Sequence, residues 1–217
     1  MNSSDIVEKM VLGTAQFGMD YGIANLSGKP SKKEVFKILD LAWEKGVRSF
    51  DTAPVYGSEV ILGEFILANG IQDEAIVLTK IPSLEMLVDY EKVIKTSIES
   101  SLKNLDCNID VLFLHDSKDS QLLLNEPSVF EELLYKYPVS TLGVSVYEPQ
   151  EIESLLDFPL DLAIQFPFNV LDRRFEKVNM PHGKHYARSI FLQGLLVSPN
   201  GLRPEVPEEL LNLQKQY

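Results

Sequence analysis

Four titratable side chains stand at or just after three predicted strands in the first half of the sequence. Asp51 and Tyr56 follow the short apolar stretch Val47–Phe50. Lys80 ends the next apolar run, and His115 ends the one after that. Because the carboxyl ends of neighbouring parallel strands meet at one edge of a sheet, we expect these side chains to converge there. A carboxylate, a phenol, an ammonium and an imidazole in one place can move protons.

The chemistry that suits this set is the reduction of a carbonyl compound. A phenol has an ordinary pKa of about 10 and is a poor proton donor at neutral pH. An ammonium beside it would lower that pKa, and a carboxylate would keep the ammonium charged and oriented. We therefore predict that Tyr56 donates a proton to the carbonyl oxygen, with Lys80 and Asp51 tuning it. His115 would polarise the carbonyl, and a nicotinamide cofactor is implied because protein side chains cannot supply a hydride.

Each of these residues also has a structural explanation when it is taken alone. Asp51 could cap the following turn, and Tyr56 could be an aromatic residue packed on the rim. A lysine that ends an apolar strand needs either solvent or a partner, which favours a role for Lys80. His115 and Asp116 could form a hydrogen-bonded pair. The occurrence of all four residues at successive strand ends favours a catalytic site.

Composition and charge narrow the class of protein. The 217 residues are 45% hydrophobic and carry a net charge of −12, which predicts a single folded domain over 1–217 and disfavours binding to nucleic acid. The single cysteine, Cys107, cannot form an intrachain disulfide. The acidic amino terminus is unlike a signal peptide, and no segment is apolar enough to span a membrane. A cytoplasmic protein is expected.

Predicted strands and helices alternate along the whole chain. A capping box at Ser31 and Glu34 begins a helix that ends at Gly46, Ser58 can cap a second helix, and Pro207 begins the last one. Repeated strand–helix units indicate a parallel sheet, and polar residues at almost every strand end favour a TIM-type (β/α)₈ barrel over a doubly wound sheet. Seven units are counted, so the eighth is expected to be missing. The strands are predicted at Val11–Thr14, Val47–Phe50, Ala75–Lys80, Val111–His115, Ser140–Val146, Leu162–Phe166 and Arg188–Gly194, the last including its loop.

The motifs resemble those of the aldo-keto reductases, and of their bacterial branch in particular. The segment Phe50–Gly57 (FDTAPVYG), followed by Glu59, is similar to the signature of that family. Leu78–Lys80 and Leu114–Asp116 resemble its lysine and histidine strand ends, in the same order. Further likeness lies at Leu12–Thr14, Gly143–Ser145, Gln165 and Gln193–Leu196, so that it covers nearly the whole chain.

The resemblance implies a (β/α)₈ barrel that reduces a small aldehyde or ketone with NADPH. It implies that Tyr56 is the general acid, and it supports the roles given above to Asp51, Lys80 and His115. Gly13 and Thr14 would approach the cofactor's ribose. By the same resemblance, the nicotinamide carboxamide would contact Ser145 and Gln165, and the ring face and pyrophosphate would contact the 189–194 loop through Ser189, Phe191, Leu192 and Gly194.

Two departures from the family pattern stand out. Where its members usually have a tyrosine or tryptophan stacked on the nicotinamide, this sequence has Arg188, and Phe191 is a substitute. The eighth strand and helix, which carry most contacts to the adenosine phosphate in the family, have no counterpart here. We therefore expect an open sheet edge through which copies of the chain could associate.

Other functions remain open alternatives. A catalytically impaired or truncated homologue could act as a binding or regulatory protein. A lyase that forms a Schiff base on Lys80 is a more distant alternative, because it does not explain Asp51 and Tyr56. The pair His182 and His185 lies in a predicted loop without a neighbouring acidic or cysteine ligand, so no metal is expected.

Overall fold

The computed structural model describes residues 6–84 and 89–197. Within them, seven strands form one parallel sheet in the order of the chain. The strands are β1 (Val11–Gly13), β2 (Ser49–Asp51), β3 (Ile76–Ile81), β4 (Ile109–Leu114), β5 (Val139–Ser145), β6 (Ala163–Pro167) and β7 (His185–Arg188). The helices are α1 (Ala15–Gly18), α2 (Lys32–Glu44), α3 (Glu59–Asn69), α4 (Tyr90–Leu105), α5 (Ser120–Asn125), α6 (Pro127–Lys136) and α7 (Gln150–Glu153).

The sheet has apolar residues on both faces, as parallel sheets do. The outer face packs against the helices in one large core that includes Leu39, Phe65 and Ile98. The inner face encloses a smaller cluster of Leu78, Val111, Phe113 and Ala163. Covered strands of this kind read as nearly continuous apolar runs, which is why β3 and β4 were predictable.

The sheet is curled but not closed by strand pairing. Val11 of β1 and Tyr186 of β7, from the two ends of the sheet, both pack against the inner cluster. In the described ranges no ladder joins β7 to β1. Over the described residues the architecture is an incomplete (β/α)₈ barrel with seven strands, which confirms the predicted fold class.

Contacts between loops bridge part of the gap at the carboxyl end of the strands. The backbone N–H of Ala24, in the loop after α1, donates to the carbonyl of Gln193 at 3.4 Å. A Cβ on Gly194 would lie 2.8 Å from the Cβ of Ala24, so the two loops touch closely. The first and last units therefore meet at the rim although their strands do not pair.

Local signals account for most helix boundaries. Ser31 and Glu34 form the predicted capping box at the start of α2. Gly70 ends α3 in the left-handed conformation. Helix α4 buries Ile94, Ile98 and Leu105 along one face, at the predicted spacing. None of the helices in the described part of the chain is long and apolar enough to cross a membrane.

The position of the seventh strand differs from the prediction. The strand is His185–Arg188, and the apolar residues after it form a tight loop that ends in the 3-10 turn Leu192–Gly194. Ile190 and Phe191 are about half exposed, at 49% and 52%. An edge strand is partly exposed to solvent and tolerates polar residues. The polar composition of His185–Arg188 is therefore why the sequence did not indicate a strand there. The helix predicted from Pro207 lies outside the described residues.

Candidate active site

A buried ion pair forms the floor of the site. The Nζ of Lys80 lies 2.5 Å from Oδ1 of Asp51 and donates a second hydrogen bond to the carbonyl of Thr52 at 3.0 Å. The side chain of Lys80 is 2% exposed and that of Asp51 is 18% exposed. The pairing of β2 with β3 places these residues on neighbouring strands, with Asp51 opposite Leu78. Asp51 therefore compensates the ammonium charge inside the barrel.

A network of hydroxyl groups holds the backbone around Asp51. Thr14 donates to the Asp51 carbonyl from its backbone N–H at 2.9 Å and from its hydroxyl at 3.0 Å. The Ser58 hydroxyl lies 2.8 Å from that of Thr14 and 2.9 Å from that of Thr52. All three side chains are fully buried. Ser58 occupies the N-cap position of α3, as predicted, but its hydroxyl is used in the network and makes no capping bond.

A second buried carboxylate supports the strand that carries Lys80. Glu59 is 2% exposed and accepts hydrogen bonds from the Thr79 hydroxyl at 2.8 Å and the Asn104 amide at 3.2 Å. These bonds connect β3, α3 and α4. The glutamate noted in the sequence motif is thus a structural residue that fixes the position of Thr79, next to Lys80.

Close packing positions Tyr56. It ends the 3-10 turn Pro54–Tyr56, and Gly57 follows in the left-handed conformation with φ 69°. Helix α1 lies directly against this turn, because a Cβ on Gly18 would come within 1.8 Å of the Tyr56 carbonyl oxygen. Only glycine fits at position 18. The turn that presents Tyr56 is therefore fixed from the side of β1.

The aromatic ring of Tyr56 lies next to the ion pair and the histidine. The Nζ of Lys80 is 5.0 Å from the ring centroid. The ring of His115 is 6.1 Å away in an edge-to-face arrangement. The structure thus brings together the four side chains that were predicted to converge.

The pKa of Tyr56 is displaced in the opposite direction from the prediction. Burial raises the pKa of this phenol, and the nearby Asp51 carboxylate raises it further, while Arg188 has a small opposing effect. Burial and Asp51 outweigh the predicted lowering of this pKa by the Lys80 ammonium, which is paired with Asp51. Tyr56 therefore keeps its proton at neutral pH.

The other two titratable groups also respond to burial. Burial lowers the pKa of Lys80, and the charge and hydrogen bond of Asp51 oppose this. Burial and the positive charge of Lys80 lower the pKa of His115, which favours the neutral imidazole at physiological pH. A neutral imidazole has one N–H to donate and one nitrogen to accept.

Two predicted cofactor residues are buried polar side chains on adjacent strands. Ser145 is 2% exposed, Gln165 is 4% exposed, and the pairing of β5 with β6 sets them side by side. Within the described residues, neither side chain has a hydrogen-bond partner, and neither is fully sealed from solvent. A hydroxyl and an amide with free hydrogen-bonding capacity match the carboxamide of a nicotinamide ring.

Gly13 and Thr14, the two residues predicted to approach the ribose, have different surroundings. A Cβ on Gly13 would meet no atom within 4 Å, so there is open space beside it. The Thr14 side chain is fully buried in the hydroxyl network. Thr14 thus orients Asp51, and its contact with a ribose stays a prediction.

The 189–194 loop is held by a residue that the sequence analysis missed. Asn169 is 6% exposed, and its amide donates to the Ser189 carbonyl at 3.3 Å. Ser189, Leu192 and Gln193 have positive φ angles of 60°, 47° and 55°, as does Gly194 at 93°. Left-handed residues in close succession form a compact turn. Asn169 lies after β6 without a recognisable motif, so only the fold reveals its role.

The two histidines near β7 do not form a metal site with their surroundings. Nε2 of His185 lies 3.1 Å from the carbonyl of Pro181. Over the ranges that the structure describes, no group of three or more histidine, cysteine or acidic residues could hold a metal ion.

Comparisons with known proteins place this site in context. The model of the Aldo/keto reductase family matches residues 9–199. The aldo-keto reductase YhdN of Bacillus subtilis is 26% identical over 179 residues, which are 78% of this chain and 54% of that protein. The D-threo-aldose 1-dehydrogenase of a Pseudomonas species is 33% identical over 153 residues, which are 56% of this chain and 46% of that protein. The chain spans about half the length of these relatives.

A solved structure supports the fold. The glycerol dehydrogenase of Gluconobacter oxydans superposes with a TM-score of 0.68 at 24% identity, covering 92% of this chain and 64% of that one. Since the family model covers most of the sequence and the fold agrees with it, the chain belongs to the aldo/keto reductase family.

Proposed function

We propose that this chain reduces an aldehyde or ketone to an alcohol with NADPH, and that Tyr56 is the proton donor. The observation that carries the proposal is the buried Lys80–Asp51 pair beside the ring of Tyr56, which is also in edge-to-face contact with His115. This is the set of groups that a carbonyl reduction requires at its oxygen atom.

The chain's own residues act on the carbonyl oxygen. His115, as a neutral imidazole, donates a hydrogen bond to this oxygen and polarises the double bond. The Tyr56 hydroxyl transfers its proton to the same oxygen as negative charge develops there, which completes the alcohol and leaves a phenolate. The adjacent ammonium of Lys80 stabilises that phenolate, and this stabilisation arises only during the reaction.

A nicotinamide cofactor, when bound, supplies the hydride that adds to the carbonyl carbon. Ser145 and Gln165 would hold the carboxamide, and Gly13 leaves room for the ribose beside Thr14. The 189–194 loop would support the ring face and the pyrophosphate through Ser189, Phe191, Leu192 and Gly194.

The Schiff-base alternative is disfavoured by the surroundings of Lys80. A lysine nucleophile needs a neutral amine that a substrate can approach. Nζ of Lys80 instead donates to Asp51 and Thr52, and the side chain is almost completely buried. A non-catalytic binding or regulatory protein could also use the free hydrogen-bonding groups of Ser145 and Gln165 to hold a ligand. Activity measurements distinguish such a protein from an enzyme.

The test is NADPH oxidation by the purified chain with a panel of aldehydes and ketones, together with identification of the alcohol product. We expect turnover with NADPH that exceeds turnover with NADH. Absence of alcohol formation with every carbonyl compound and both cofactors would reject the proposal and favour the binding or regulatory alternative.

A further inference from the structure

We infer that Arg188 recognises a carboxylate on the carbonyl substrate. This inference rests on the proposed function, since it names the class of substrate that the same site would reduce. It starts from the position of a charged side chain that the proposed chemistry does not use.

Arg188 lies at the same rim as the candidate active site. It is the last residue of β7, paired with Pro167 of β6. Its side chain reaches past β6 to the loop after β5, where Nη2 donates to the Val146 carbonyl at 3.2 Å. Its guanidinium carbon lies 4.2 Å from the centroid of the Tyr147 ring. These contacts fix the guanidinium at the mouth of the barrel.

The guanidinium has no acidic partner among the described residues. Its other hydrogen bond goes to the Ser189 hydroxyl, 3.4 Å from Nη1. A guanidinium has five N–H donors, so most of them are available to a ligand. By contrast, the exposed Arg173 and Arg174 are paired with Glu176, Asp172 and Glu148. A half-buried guanidinium without an ion-pair partner is suited to bind an anion such as a carboxylate.

The charge of Arg188 acts on the groups of the site. It lowers the pKa of His115 and of Lys80, as a smaller effect after burial, and it opposes the rise in the pKa of Tyr56. Asp51, the carboxylate of the ion pair, is already paired with Lys80. Arg188 therefore keeps a positive charge without an ion-pair partner among the described residues, and such a charge attracts an anionic substrate.

The shape of the group favours a carboxylate. The planar fork of a guanidinium matches the two oxygen atoms of a carboxylate in a bidentate arrangement. Tyr147 and the two acceptors hold the fork in place, so little flexibility is lost on binding. A compound with a carbonyl at one end and a carboxylate at the other would be held at both.

The experiment compares aldehydes that differ in charge. Succinic semialdehyde and butanal share a four-carbon chain, and only the first is an anion. We expect wild-type kcat/KM to be at least about ten times higher for succinic semialdehyde, the effect of one charge-assisted contact. Arg188→Gln should remove that preference through a higher KM and change kcat/KM for butanal less than about twofold.

Two further variants separate recognition from structure. Arg188→Lys retains the charge but not the fork, and should recover part of the preference. Arg48→Gln is the matched control, because Arg48 also stacks on an aromatic ring, Trp43, and also donates to backbone carbonyls. It lies before β2 rather than after a strand, and its replacement should leave the preference unchanged.

Several results would overturn the inference. One is equal wild-type kcat/KM for the two aldehydes. Another is an equal loss for both in Arg188→Gln, which would assign the residue to the cofactor or the fold. A preference for glycolaldehyde phosphate over glycolaldehyde, without one for succinic semialdehyde, would show that the anion is a phosphate.

A binding measurement keeps the inference testable if no aldehyde is reduced. Ligand-observed NMR with succinic semialdehyde and butanal would then be compared for the wild type and Arg188→Gln. Binding of the anion alone, lost in the variant, would support carboxylate recognition while the proposed reduction fails. No binding of the anion, or binding unchanged in the variant, would overturn it.

Discussion

The two halves of the rim are built in different ways. The first half, from β1 to β4, carries Asp51, Tyr56, Lys80 and His115. The Lys80–Asp51 pair and the hydroxyl network around it are hydrogen-bonded, and the rings of Tyr56 and His115 are in edge-to-face contact. The second half, from β5 to β7, carries Ser145, Gln165 and Arg188, whose polar side chains have few or no partners in the described protein. The difference indicates that the first half is organised by the fold itself, whereas the second half needs a ligand to complete its hydrogen bonds.

The loops of the two halves show the same contrast. Tyr56 is presented by a turn that packs against Gly18 so closely that no side chain fits between them. The 189–194 loop exposes half of Phe191 and contains three non-glycine residues with positive φ. Such conformations cost free energy and are retained where a site uses them. Substitutions of hydrogen-bonded groups in the first half should therefore affect the stability of the fold, whereas substitutions in the second half should affect only ligand binding.

The largest effect is expected at Tyr56. Tyr56→Phe removes the proton donor and should lower kcat for carbonyl reduction by about 100-fold or more, because the proposed mechanism takes the proton for the oxygen from this hydroxyl. The melting temperature should hardly change. Steady-state kinetics and a thermal melt would measure both.

Tyr135→Phe is the matched control for that variant, since Tyr135 is 94% exposed and distant from the chemistry. It should retain full activity. A Tyr56→Phe protein that turns over as fast as the wild type would contradict the role of Tyr56 as proton donor. The first half of the rim could then no longer be assigned the chemistry.

The next effect concerns the stability of the first half. Lys80→Met leaves the partly buried Asp51 carboxylate without its cation and should lower the free energy of unfolding by about 2 kcal/mol, less than for a fully buried pair because Asp51 contacts solvent. Lys32→Met breaks an ion pair with Glu64 in which both side chains are exposed, and should cost about 0.5 kcal/mol at most. Urea unfolding measures both. Equal losses in the two variants would refute the special status of the buried pair.

The second half should respond in binding rather than in stability. Gln165→Leu removes an amide that has no partner in the described protein, so the unfolding midpoint should stay the same or rise. NADPH affinity should fall about tenfold, the value of one or two hydrogen bonds. Fluorescence titration and urea unfolding would be run on the same preparations. A large loss of stability would show that Gln165 is a structural residue, and the contrast between the halves would be weaker.

The smallest expected effect is a pH dependence from His115. The folded site disfavours the imidazolium, so the unfolded chain binds more protons once the pH falls below the ordinary histidine pKa of about 6.5. Stability should be constant above that pH with respect to this group and should decline below it. His115→Gln should reduce the decline, and the exposed His182→Gln should not. Identical pH profiles for the wild type and His115→Gln would rule out the burial effect.

The sequence predicted the first half of the rim better than the second, for a physical reason. Buried parallel strands produce apolar runs, and Lys80 and His115 interrupt or end those runs, so their position was readable. The 189–194 segment is apolar but exposed, and it resembles a strand although β7 lies before it at His185–Arg188. Runs of apolar residues do not distinguish a buried strand from an exposed loop.

The side-chain hydrogen bonds and the pKa shifts of the site could not be predicted from the sequence. The Ser58 hydroxyl follows a helix-capping pattern, yet it bonds to Thr14 and Thr52 from other elements. The pKa of Tyr56 was predicted to fall because a lysine was expected nearby, and it rises because the phenol is buried and lies near the Asp51 carboxylate. Asn169 has no motif at all. Burial and competition between partners depend on the assembled fold.

The most direct test of the proposed function is a titration of the purified chain with NADPH, followed by the fluorescence of the cofactor. We predict saturable binding, because the second half of the rim has unused hydrogen-bonding groups for the nicotinamide end. Tighter binding of NADPH than of NADH is expected from the family resemblance alone. Absence of saturable binding would contradict the proposal that this chain is a reductase, whatever the arrangement of Tyr56 and its neighbours.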